Sequence, residues 1–138
     1  MLSQILTWHP AGADLILLVV RLAFGIACFT HGWHKVTGID GFAAKWRLSL
    51  PLAWTVALTQ TLGGAMVAVG IGHGLGALAL VVCGLGITWK LIFDAGEPFV
   101  QPGGHSWDMG LVYTLLPLAL LALLASGPGR FALDALLG

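Results

Sequence analysis

Four stretches of the chain, residues 14–33, 53–71, 75–93 and 107–126, run for about twenty residues each with only isolated charges. A bilayer core is crossed by roughly 20 helical residues. Backbone groups inside it must be satisfied within their own segment, so each stretch is predicted to be a membrane-spanning helix. A soluble globule is excluded by composition, because 58% apolar and 9% charged residues leave too little charge to cover its surface. The fold expected is all-α: a four-transmembrane-helix antiparallel bundle forming a single membrane domain over residues 1–138.

The connectors are short. Residues 1–13 are broken by Pro10 and Gly12 and lack a basic leader and a small-residue cleavage site, so the first apolar segment is expected to be retained. After a break at Gly38, residues 39–50 place Ile39, Phe42, Ala43, Trp46 and Leu50 on one helical face, with Lys45 and Arg47 elsewhere. This is the pattern of a short helix lying in the membrane surface, here expected to end at Pro51. Gly72-His73-Gly74 permits only a tight turn, and Ala68, Gly72 and Gly76 are small residues that let helices approach closely. Residues 94–105 are rich in glycine and proline and are expected to form a loop, and Pro117 is expected to kink the fourth span.

The first span carries the most informative polar residues. Arg21, Cys28, His31 and Lys35, at offsets of seven, ten and fourteen, form one helical stripe. A charge near mid-bilayer costs about 2.5–3.5 kcal/mol on insertion scales, so such a stripe is expected to face a bundle interior, a wet cavity or a partner. In a four-span chain the ends of helices 1, 3 and 4 share one side of the membrane. His31, His34, Lys35, Lys90, Asp94, His105 and Asp108 gather there, with Gln60 about two turns deep in the second span. Trp33, Trp46, Trp54, Trp89 and Trp107 fall on the same side. Donors, acceptors and titratable groups in one membrane cavity suit a quinone head group, whose carbonyls accept hydrogen bonds and whose reduction needs protons. The candidate catalytic residues are His31, Lys35, Asp94 and Asp108, and the candidate cofactor-binding residues are Arg21, Gln60, Lys90 and Trp33. Plainer roles compete: Lys90, Asp94 and Asp108 as interfacial anchors, and Arg21 as a structural residue paired with Asp14 or Asp134.

Other chemistries lack a pattern. Net charge is zero with no basic patch, so no nucleic-acid partner is expected. Cys28 and Cys83 are single thiols without a C-x-x-C motif, expected to be free and buried. His31, His34 and His105 do not make a recognised ligand spacing, and neither a flavin nor a haem motif is present, so no metal site is expected. The central parts of the helices carry no carboxylate, which disfavours a proton-coupled exporter.

Arg21-Leu-Ala-Phe-Gly25 followed by His31-Gly32-Trp33-His34-Lys35 resembles the first helix of the DoxX family, and Gly63-Gly64 resembles its second. Gly127-Pro128-Gly129-Arg130-Phe131-Ala132-Leu133-Asp134 is similar to the family's terminal G-P-G-R-x-S-L-D. The chain departs from the family at Gln60, where relatives often carry glutamate, and at Ala132 in place of serine. The resemblance implies a multi-pass protein of the bacterial inner membrane. The family takes its name from the membrane subunit of a thiosulfate:quinone oxidoreductase.

The function expected is therefore a small membrane subunit of a redox system, possessing a quinone site and acting with a partner oxidoreductase or as a homo-oligomer among membrane lipids. Any electron transfer would use a partner's cofactor. The alternative is a structural or assembly subunit without its own chemistry. Lys35, Lys45, Arg47 and Lys90 against Arg130 place the site-bearing loops in the cytoplasm by the positive-inside tendency.

Overall fold

The computed structural model describes residues 11–94 and 109–137, without the side chains of 11 and 109–114. Among these residues every regular element is helical: α1 (Ala11–Thr37), α2 (Ile39–Lys45), α3 (Leu50–Val69), α4 (His73–Trp89), which continues into a π turn (Lys90–Asp94), α5 (Met109–Ser126) and α6 (Leu133–Leu137). Three helical stretches, Gly12–Thr37, Leu50–Val69 and His73–Asp94, are long and apolar enough to cross a membrane. The expected fourth span, 107–126, begins outside the described residues; its described part is α5, an 18-residue apolar helix from Met109 to Ser126.

Two sequence expectations about the connectors are corrected. Gly12 does not break the chain but sits in the first turn of α1. The element expected over 39–50 stops at Lys45, and Pro51 opens α3 instead of ending α2. Ser49 is extended as the N-cap, and proline in a first turn loses no helical hydrogen bond.

Neighbouring helices run antiparallel: Gly25 lies opposite Ala68 and Gly32 opposite Thr61, while Gly84 meets Pro117 and His73 meets Leu123. Pro117 is fully buried inside α5 and fills the gap left by Gly84. Cys28, Val67, Leu80, Val81 and Leu120 form the shared core. Large apolar side chains such as Ile16, Ile26, Leu62, Val82 and Leu118 point outward, the inverse of a soluble protein and the arrangement that acyl chains solvate.

A clasp closes the end of the molecule remote from Lys35. Arg21, 2% exposed, donates from Nη1 to the Pro128 carbonyl (2.5 Å) and from Nη2 to the Phe131 carbonyl (3.0 Å). This corrects the expected pairing of Arg21 with Asp14 or Asp134. Those carboxylates serve backbone amides: Asp14 accepts from Arg130 N at 3.3 Å, and Asp134 accepts from Gly72 N and His73 N at 3.0 Å each. The N-cap of α4 is Gly72, which has no side chain to cap with, so the cap is supplied by a residue from the far end of the chain. Asp134 N in turn donates to Gly70 O at 2.9 Å. Gly70 has φ +78, and a β-carbon there would lie 2.7 Å from that of the fully buried Ala132.

The Gly72 and His73 amides hold the Asp134 carboxyl below its ordinary pKa. A depressed folded-state value means that the carboxylate's stabilisation is present above the unfolded pKa and is lost as pH falls through the folded one. The thermal midpoint of the protein is expected to exceed that of Asp134→Asn at neutral pH, with the gap closing in acid. Parallel melting curves across that range check it.

Candidate functional site

The polar stripe of α1 divides in the structure. At about 100° per residue, Cys28 and Lys35 fall about 20° and 40° from Arg21, but His31 falls about 80° away. Arg21, Gly25, Cys28 and Gly32 are accordingly buried and Lys35 is half-buried, whereas His31 is exposed on the flank. The inward orientation expected for His31 is therefore corrected. Trp33, about 120° round from Arg21, is also turned outward and stacks on Phe29 at 6.4 Å. Arg21 lies about 21 Å along the helix from Lys35, in the clasp and not in this site.

Lys35 and Gln60 meet. Lys35 Nζ donates to Gln60 Oε1, which brings a cation from α1 onto the buried amide of α3. Gly32 makes the meeting possible, because its missing side chain lets the helices approach until a β-carbon there would overlap the Thr61 backbone nitrogen. Nζ also stands 5.1 Å from the centroid of the Phe42 ring, a cation–π contact that the sequence reading did not include. Cys28 and Cys83 are free thiols; Cys28 is buried as expected, whereas Cys83 is only partly so.

Above the pair is a recess of about 40 Å³ lined by Lys35, Phe42, Trp46, Leu48, Ile87 and Lys90. Through Trp46 and Lys90 it adjoins a cleft of about 680 Å³, also lined by Lys45, Arg47, Phe93 and Asp94. Lys90 and Asp94 form an ion pair at 2.9 Å. Of the candidate site residues, Lys35, Gln60, Lys90 and Asp94 are thus brought to one end of the molecule, and His31, Trp33 and Arg21 face elsewhere. Asp108 lies outside the described residues, as do His105 and Trp107. Phe42, Arg47 and Leu48 were not among the candidates, since only the placement of α2 and of the turn after it carries them to the site.

Apolar helices of spanning length, with a lysine on a buried amide beneath a polar cleft at one end, define a multi-pass membrane protein. The DoxX family model matches residues 16–92, more than half of the 138-residue chain, and the chain belongs to the DoxX family. Neither a curated protein nor a solved structure matches it.

Proposed function

We propose that the protein is a membrane subunit of a redox system, with a quinone site where the recess opens into the cleft, acting with a partner oxidoreductase that provides the electrons. The observation that carries this reading is the Lys35–Gln60 pair set beneath aromatic walls. A quinone bound there would supply two-electron, two-proton chemistry. Lys35 Nζ has donors to spare after its bond to Gln60 and would hydrogen-bond a carbonyl oxygen. Phe42 and Trp46 offer flat faces to a ring. The recess admits the carbonyl edge of a head group, while the wider cleft leaves room for the ring and a path to water. Gln60 has no proton to exchange, so proton delivery falls to the Lys35 ammonium, with Asp94 and Lys90 at the cleft wall.

Quinone titration of the purified protein in lipid nanodiscs tests this. Lys35→Ala is expected to weaken binding roughly tenfold or more, the worth of a charged hydrogen bond. His31→Ala, on the exposed flank, is expected to change it little. Unaltered titration of Lys35→Ala would remove the proposal. The assembly-subunit reading draws on the outward-facing Trp33 and His34 at the same helix end. It would take over if the wild type bound no quinone yet co-purified with a stoichiometric partner.

A further inference from the structure

The turn between α2 and α3 holds its cations in an unusual way. Leu48 N donates to Ala43 O at 2.9 Å and Arg47 N to Ala44 O at 3.3 Å, the paired bonds of a Schellman helix ending. The residue at the left-handed position of such a turn is usually glycine, and here it is Arg47, with φ 50, the single positive-φ non-glycine residue among those described. Positive charge at the end of a spanning helix is ordinary. An arginine kept where the backbone favours glycine is not, and Arg47 lines the cleft. Beside it Lys45 reaches over the Trp46 ring, with Nζ 5.8 Å from the centroid. Lys90 closes the cleft from the π turn, paired with Asp94. Among the described residues the cleft therefore presents three cations against one carboxylate, flanked by Trp46 and Phe93.

We propose that this cleft binds a phosphate-bearing anion, presented by the head group of an anionic lipid in the surrounding leaflet. Basic recesses between membrane helices recognise such head groups, and a guanidinium fork matches phosphate oxygens two at a time. Lys45 and Arg47 form one wall and Lys90 the other, so the anion sits between elements that only the folded chain brings together. Trp46 and Phe93 offer apolar faces to the glycerol and the first acyl carbons. The anion would occupy the same cleft that the proposed function gives to the quinone ring, so the two would compete for it. The test contains no quinone, and its outcome is independent of that reading.

Native mass spectrometry of the full chain, released from nanodiscs of equimolar phosphatidylglycerol and phosphatidylcholine, reads the preference directly. The wild type is expected to retain phosphatidylglycerol selectively. Lys45→Gln and Arg47→Gly are each expected to lower the ratio about fivefold, the effect of one basic residue near an anionic surface. Arg47→Gly relaxes the turn while removing the charge, so its loss of selectivity is not a loss of fold. Thermal shifts in detergent separate the two sources of phosphate. Stabilisation by phosphatidylglycerol and not by inorganic phosphate supports a lipid ligand. Stabilisation by inorganic phosphate, abolished by the same substitutions, keeps the anion site and assigns it a soluble ligand. Equal retention of the two lipids with no shift from phosphate, or selectivity unchanged in both variants, overturns the proposal.

Discussion

Gly32→Ala is expected to be the most damaging conservative change in the chain. The new β-carbon would lie 2.6 Å from Thr61 Oγ1 and 2.8 Å from the Gln60 carbonyl carbon, besides overlapping the Thr61 nitrogen. Most of these atoms are backbone, so no rotamer change relieves the overlap and α1 must move away from α3. Gly25 against Ala68 and Gly64 against Phe29 repeat the close approach along the same seam, so the displacement cannot be confined to one turn. The cost is expected at the upper end for overpacking, about 3 kcal/mol. Lys35 and Gln60 would be drawn apart with the helices, so quinone binding should fall as well. Gly86→Ala is the control, since nothing lies within 4 Å of a β-carbon there and alanine favours the helix. Thermal or denaturant unfolding of the two variants in the same detergent checks the contrast, and equal stability would show that the seam is not tight.

Arg21→Ala is expected to open the opposite end. Two charge-assisted hydrogen bonds, to the carbonyls of Pro128 and Phe131, are lost together, at about 3–5 kcal/mol by the usual worth of such bonds. Arg21→Lys should restore only part of this, because an ammonium does not reproduce the fork that spans two carbonyls. The tail from Gly127 onward is held largely by these bonds and by Asp134, so protease cleavage within it is expected to accelerate in both variants. Lys35 is remote from the clasp, and quinone titration of Arg21→Lys should match the wild type. That combination separates a structural arginine from the ligand-binding role first expected of it. A weakened titration with an intact tail would reverse the assignment.

The spans over α1, α3 and α4 were legible because hydropathy over twenty residues is a local property, and each came within a few residues of its expected bounds. Lys35 and Gln60 stood out for the same reason, as polar groups among apolar ones. His31 was misplaced because a stripe drawn from offsets tolerates about 80° of rotation, while a packing seam between glycines does not, and Trp33 because its depth in the helix does not fix the face it occupies. Pro51 reads equally as a stop or a start, and the choice depended on Ser49 taking an extended conformation before it. The C-terminal motif was visible as a pattern, yet its bonds reach 107 and 110 residues back to Arg21, and no spacing rule carries that distance.

The sequence alone determined that this chain enters a membrane as helices, because the cost of burying unpaired backbone in lipid leaves few other options. It also determined which polar residues would need partners there. Tertiary structure alone decided the partners: Gln60 for Lys35, two carbonyls for Arg21, two amides for Asp134. Periodicity sets the face a residue occupies on its own helix, whereas contact depends on how closely two helices approach. In this chain that distance is set by Gly25, Gly32 and Gly64 acting together along one seam.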